Sequence, residues 1–234
     1  MSITARVLIL SSDESLRDEA KIAFESLGGD GPRFRFVSNK GGVGKSTRAT
    51  NTGVAIARRG KQSVLLNDGS IQMGVAAALL DLTPNATLTD LARESERFDP
   101  TMIRQTAAVH SSGLHLLAAP ADAVEAMEID DVLMARIITM ARQTYDIVIV
   151  DTFPMFDRIV IAALDLSDRV YVVLENVVPT LLGGVKLLGV LERIGYPGYS
   201  PIHHSQSTAT CSGQLVNKRC GGTHAARYRS CVTV

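Results

Sequence analysis

Six short apolar segments, separated by longer stretches with helical periodicity, constrain the fold of this chain more than any other feature. Most of them are continuously apolar, which is typical of strands that helices cover on both faces. They predict strands over residues 7–10, 34–38, 63–67, 114–118, 147–151 and 170–174. The pattern predicts an α/β fold with a doubly wound, mostly parallel sheet and helices on both faces.

Capping signals place helices between these strands. Gly60 can adopt the left-handed conformation that often ends a helix, and Asp90 lies three residues after Thr87, as in a capping box. Asp99 followed by proline is a similar start signal. The predicted helices cover residues 46–59, 128–144 and 179–194, with further starts at Thr87 and Asp99.

Composition predicts a folded, soluble protein. Of the 234 residues, 46% are apolar and 21% are charged, and the formal net charge is zero, so nucleic-acid binding is not favoured. Neither a signal peptide at residues 1–28 nor an apolar run long enough to span a membrane is recognisable, which predicts a cytoplasmic location. All three cysteines lie in the last 24 residues, which argues against a disulfide framework.

The chain divides into three predicted segments. Residues 1–31 hold one strand, one helix and a linker, too little for a core of their own, so they must dock on the main sheet or belong to something larger. Residues 32–195 form the main domain. Residues 196–234 lose apolar periodicity and have the composition of a disordered tail, and their cysteines and histidines lack zinc-ligand spacing.

The strongest motif is FVSNKGGVGKST, at residues 36–47. A strand, a glycine-rich turn and a helix that opens at Lys45 form the context of a phosphate-binding loop. Backbone N–H groups and the helix N-terminus would hold the phosphates, while Lys45 would bridge the terminal phosphates and the Ser46 hydroxyl would hold Mg²⁺. The loop predicts a P-loop nucleoside triphosphatase, and Mg²⁺ is an expected cofactor.

Residues KGGVGKST resemble the deviant Walker A motif of the MinD/ParA superfamily, a SIMIBI-type branch of the P-loop fold. There the signature lysine, here Lys40, reaches across a nucleotide-sandwich homodimer to the partner's phosphates. The resemblance implies dimerisation on ATP binding, with a cation delivered in trans. It also implies that the nucleotide is bound by Gly41, Gly42, Val43, Gly44, Lys45, Ser46 and Thr47.

The resemblance extends to residues beyond the loop. Asp151 ends the run DIVIVD like the superfamily's Walker B aspartate, which implies a role with Ser46 at Mg²⁺. The stretches SIQMGVAAALLDLTPNATLTDLARESERFD and SGLHLLAAPAD look most like the CpaE/TadZ branch of pilus-assembly proteins. That branch places a receiver-like domain before the ATPase, and residues 5–28 look like its first strand and helix. The implied partners are pilus or secretion assembly proteins.

Two departures from the superfamily pattern modify these expectations. Members usually carry D-x-D after the second strand, and the second aspartate positions or activates the attacking water. Here Asp68, a predicted catalytic residue, matches the first aspartate, and Ser70 occupies the second position. A serine hydroxyl cannot act as a carboxylate base at neutral pH, so slow or absent hydrolysis is predicted. Beyond Gly198 the family's continuation is not recognisable, as if the reading frame had shifted, and the missing receiver interior suggests truncation at both flanks.

Two alternatives stay open, and a third is not supported. A ParA-like partition ATPase would bind DNA nonspecifically and would need a basic face, but the main domain offers only Arg58, Arg59 and Lys61 as a short cluster. A scaffold pseudoenzyme would keep the fold without using nucleotide. Direct membrane insertion is not supported, because the tail has no apolar stripe, so recruitment to the inner membrane or cell pole is expected through partners.

Overall fold

The computed structural model describes residues 6–11, 34–37, 41–94, 99–175, 177–195 and 199–201. The strands are β1 Arg6–Ser11, β2 Phe34–Val37, β3 Val64–Gly69, β4 Ala108–Val109, β5 Leu114–Leu117, β6 Ile147–Thr152, β7 Arg169–Leu174 and β8 Tyr199–Pro201. The helices are α1 Lys45–Ala57, α2 Ala76–Leu79, α3 Leu88–Arg93, α4 Pro100–Thr106, α5 Asp131–Thr144, α6 Arg158–Asp165 and α7 Val178–Arg193, with a 3-10 turn at Glu125–Glu128. The predicted helix after β1 and most of the predicted tail lie outside these residues.

One sheet contains all eight described strands, in the order β4-β5-β3-β6-β2-β7-β1-β8. Every pairing is parallel except that of β4 with β5. The predicted fold class is therefore confirmed. Since parallel strands end at the same edge of a sheet, residues that follow β2, β3 and β6 are brought together there.

Alternate residues along the central strands pack against different helices. Val64 and Leu66 of β3 belong to a buried cluster with Ile56 of α1, whereas Leu65 of the same strand packs in a cluster with Ile137 of α5. A third cluster joins β7 to α6 and α7. Burial on both faces explains why these strands read as continuous apolar runs.

The structure refines several predicted boundaries. Helix α5 starts at Asp131 rather than at residue 128, because the Asp130 carboxylate accepts a hydrogen bond from the Leu133 N–H at 2.8 Å and caps the helix there. Thr87 and Asp90 form the predicted capping box of α3. Helices α2 and α6 and the short strands β4 and β8 were not predicted.

The N-terminal strand lies inside the sheet. Strand β1 pairs in parallel with β7, where Arg6 faces Arg169, and with β8, where Val7 faces Tyr199. Strand β1 thus docks on the main sheet, while the helix predicted after it lies outside the described residues. Strand β8 also shows that the segment predicted to be irregular from residue 196 includes three residues of regular structure.

Helices that could cross a membrane were searched for among the described residues, and none is both long enough and apolar enough.

Candidate functional site

The glycine-rich turn leads directly into the N-terminus of α1. Gly42 and Gly44 have φ values of 81° and 83°, in the left-handed region that favours glycine. Gly44 is the N-cap of α1, and no side chain caps the first turn. The free N–H groups and the helix dipole at this end can bind an anion. Val43 is buried, while Ser46 and Thr47 are half-buried at the start of the helix.

An ion pair joins the first residue of α1 to the end of β6. The Lys45 ammonium donates to Oδ1 of Asp151, and their side chains are only 8% and 1% exposed. The second oxygen, Oδ2, is buried and has no hydrogen-bond partner among the described residues. A buried carboxylate oxygen without a partner is costly, and it fits a magnesium ion or one of its water ligands.

Asp68 lies beside Asp151 on the neighbouring strand. The two residues face each other in the β3–β6 register, and Asp68 is 1% exposed. Burial, followed by the charge of Asp151, raises the pKa of Asp68 to about 7, although N–H groups of Ala76 and Ser70 and the charge of Lys45 oppose the shift. Two acidic side chains and one ammonium therefore share a buried site at the carboxyl edge of the sheet.

The sequence-predicted residues are largely brought together here. The turn and start of α1 (residues 41–47), Asp68, Ser70 and Asp151 all lie at this edge. Ser70 is 5% exposed and follows β3. Lys40, the predicted trans lysine, lies outside the described residues. The expected donor set for ATP and Mg²⁺ is thus present in the part of the chain that the structure describes, apart from that lysine.

Two residues of the site were not singled out from the sequence. Arg48, one turn into α1, is 4% exposed and donates to the Val43 carbonyl oxygen at 3.4 Å, beneath the phosphate loop. Gly74 sits so close to Asp68 that a β-carbon there would lie 2.5 Å from Oδ2. An isolated glycine soon after a strand is a weak sign of such close approach, whereas nothing in the sequence indicates that Arg48 is buried.

Comparison with known proteins places this site in a family. The family model described as AAA domain (AAA_31) matches residues 34–196. The chromosome-partitioning ATPase Soj of Treponema pallidum is 27% identical over 167 residues, which make up 70% of this chain and 65% of that protein. The chain thus spans just under two thirds of this relative's length.

Solved structures show the same fold. A ParA family ATPase from Chlorobium tepidum superposes with a TM-score of 0.65 and 26% identity, covering 74% of this chain and 73% of that one. The septum site-determining protein MinD from Pyrococcus horikoshii, solved with Mg-ADP, gives a TM-score of 0.61 at 21% identity, covering 72% of this chain and 67% of that one. The family model matches more than half of the residues of this chain, which therefore belongs to the AAA_31 family. Together with these relatives, the chain belongs to the MinD/ParA superfamily of ATPases.

Proposed function

We propose that the protein is an ATP-dependent dimerising switch. The observation that carries this proposal is the buried Lys45–Asp151 pair beneath the glycine-rich turn. An ammonium at the start of α1 can exchange its carboxylate partner for the terminal phosphates of ATP. Ser46 and Asp151 would then hold Mg²⁺, which neutralises phosphate charge when bound. Binding of ATP would thus replace one buried ion pair by a larger set of charge-assisted contacts.

Dimerisation is proposed to depend on Lys40, which supplies a cation to the partner's nucleotide. Support comes from the KGGVGKST octapeptide. Light scattering on the purified full chain should show the molar mass doubling with Mg-ATP, but not with Mg-ADP. Lys40→Ala should remain monomeric in ATP. Lys61→Ala, which removes an exposed lysine elsewhere in the domain, is the matched control and should dimerise like the wild type.

If the wild type remains monomeric with saturating Mg-ATP, the switch proposal fails and the scaffold alternative gains support. In that case Lys45→Ala should leave the protein's activity in cells unchanged. Loss of that activity in Lys45→Ala, at normal protein levels, would argue against a scaffold that works without nucleotide.

Hydrolysis is proposed to be slow because Ser70 stands where the superfamily carries its second aspartate. The residue is buried beside the Asp68–Asp151 pair, and its hydroxyl cannot accept a proton as a carboxylate does. Phosphate release should therefore rise in Ser70→Asp by about 10²-fold, the range expected for restoring a general base, and should be unchanged in Ser70→Ala. Equal rates for all three proteins would contradict this account.

The proposed cellular role is the positioning of a pilus or secretion apparatus, as in the CpaE/TadZ branch. It is supported by the resemblance of residues 70–99 and 112–122 to that branch. Deleting the coding sequence in the source organism should abolish surface pili or secretion while chromosome segregation stays normal. A segregation defect with normal pili would instead indicate a partition role.

That second candidate is favoured by one specific finding, the Soj relative named as a chromosome-partitioning ATPase. A basic cluster at the end of α1 could contact phosphates. It consists of the exposed residues Arg58, Arg59 and Lys61. If the ATP-loaded protein binds duplex DNA, affinity should fall steeply with salt, and Arg58→Glu should weaken binding at every sequence equally. The absence of binding at low salt would remove this candidate.

A further inference from the structure

Both carboxylate oxygens of Asp68 are engaged by the backbone of the segment that follows β3. Oδ1 accepts a hydrogen bond from the Ser70 N–H at 3.3 Å, and Oδ2 accepts one from the Ala76 N–H at 3.0 Å. Ala76 is the first residue of α2, and the Met73 N–H closes a turn on the Ser70 carbonyl oxygen at 3.0 Å. A single side chain therefore ties the two ends of residues 70–76 together.

Gly74 fits this arrangement because the carboxylate leaves no room for a side chain. A β-carbon at this position would lie 2.5 Å from Asp68 Oδ2 and would also overlap the Ala119 side chain. Gly74 is not among the glycines with positive φ, so space rather than backbone conformation excludes a larger residue here.

The position of this segment relates it to the terminal phosphates. Asp68 faces Asp151 across the β3–β6 register, and Asp151 holds Lys45, the residue that would bridge those phosphates. Both Asp151 and Lys45 act electrostatically on Asp68. The carboxylate thus stands between the phosphate site and residues 70–76.

We propose that Asp68 is a positioning residue: it holds residues 70–76 in the shape that places Ser70 beside the terminal phosphate. The proposal rests on the proposed ATP-dependent function. Each oxygen of the buried Asp68 carboxylate accepts a hydrogen bond from the backbone of this segment, so the side chain is held by the residues that it would position.

The first test is amide hydrogen exchange on the nucleotide-free full chain. Asp68→Asn turns one acceptor into a donor that faces an N–H group, so the Ser70 and Ala76 amides should exchange roughly tenfold faster or more. Amides of β5 and α5 should stay within twofold of wild type. Unchanged exchange over residues 69–76 would overturn the proposal, and faster exchange throughout the sheet would show that Asp68 merely stabilises the fold.

The second test displaces the segment while Asp68 remains intact. Gly74→Ala pushes a methyl group against the carboxylate, so half-maximal dimerisation should require at least roughly tenfold more ATP, while ADP affinity stays within about threefold. Gly189→Ala is the matched control, because a β-carbon at that α7 position meets nothing within 4 Å. It should leave both quantities at wild-type values.

If Gly74→Ala weakens ATP-driven dimerisation and ADP affinity equally, Asp68 has only a structural role, and the proposal is overturned. If the wild type does not dimerise with ATP, the proposed function fails, but the exchange experiment needs no nucleotide and still decides whether Asp68 holds residues 70–76.

Discussion

Replacing Lys45 with methionine should destabilise the nucleotide-free protein by about 3–5 kcal/mol, before any effect on ATP binding is considered. The estimate applies to a buried pair that loses one partner, and the Lys45 and Asp151 side chains are 8% and 1% exposed. Methionine retains most of the apolar stem but leaves Asp151 buried, without a cation and next to Asp68. The loss therefore comes from an uncompensated charge and not from a cavity.

The stability that Lys45→Met loses should depend on pH. Lys45 is one of the groups that oppose the rise in the pKa of Asp68, which burial and Asp151 raise to about 7. Without Lys45 this pKa should rise further, so as the pH increases the folded variant must either keep a proton on Asp68 or hold two buried carboxylate charges without a cation. Lys45→Met should accordingly cost more at pH 8.5 than at pH 6.

Urea unfolding followed by circular dichroism suits the measurement, because the chain contains no tryptophan. It should be done with EDTA and without nucleotide. Adding Asp151→Asn to Lys45→Met removes the unpaired charge and should restore about half of the lost stability. Lys186→Met, on the exposed side of α7, is the charge-matched control and should change stability by less than about 0.5 kcal/mol. A Lys45→Met protein within about 1 kcal/mol of wild type, or no recovery in the double variant, would refute the reasoning.

Three further predictions concern the fold around the site. Asn67 is 1% exposed, and its Oδ1 has no hydrogen-bond partner among the described residues. Its Nδ2 donates to Met134 Sδ at 3.4 Å. Because burying a polar group without a partner is costly, Asn67→Leu should raise the free energy of unfolding by about 1–2 kcal/mol, measured by thermal unfolding. Asp130→Ala removes the α5 cap and should cost about 1 kcal/mol in the same assay. Burial lowers the pKa of His115, so wild-type stability should fall as pH drops below 6.5, and this loss should be absent in His115→Gln, which can keep the hydrogen bond to Tyr145.

The features that could be predicted from the sequence are those that depend on residues close together along the chain. The strands and main helices follow from local apolar periodicity and caps such as Thr87 and Asp99, and all six predicted strands are present. The phosphate loop was recognisable because its glycines and Lys45 are adjacent in sequence. Helix α6 was missed although Asp157 caps it by accepting the Val160 N–H at 2.7 Å, because it lies in an irregular stretch between two strands.

Interactions between distant segments could not be predicted in the same way. The bond between Asp68 and the Ala76 N–H depends on how residues 70–76 turn back over the end of β3. The burial of Arg48 depends on the path of the glycine turn above it. Strand order is equally non-local, because parallel neighbours are joined by long crossovers whose direction the apolar pattern does not encode.

The insertion of β1 between β7 and β8 has a consequence for synthesis on the ribosome. Strand β1 can pair with β7 only after Arg169–Leu174 has emerged, so its backbone N–H and C=O groups lack this partner while the intervening residues are synthesised. If translation pauses before β7, or if a chaperone holds the nascent chain at that stage, this apolar strand stays exposed for longer. Ribosome-associated folding factors would therefore be expected to bind β1 until β7 has been synthesised.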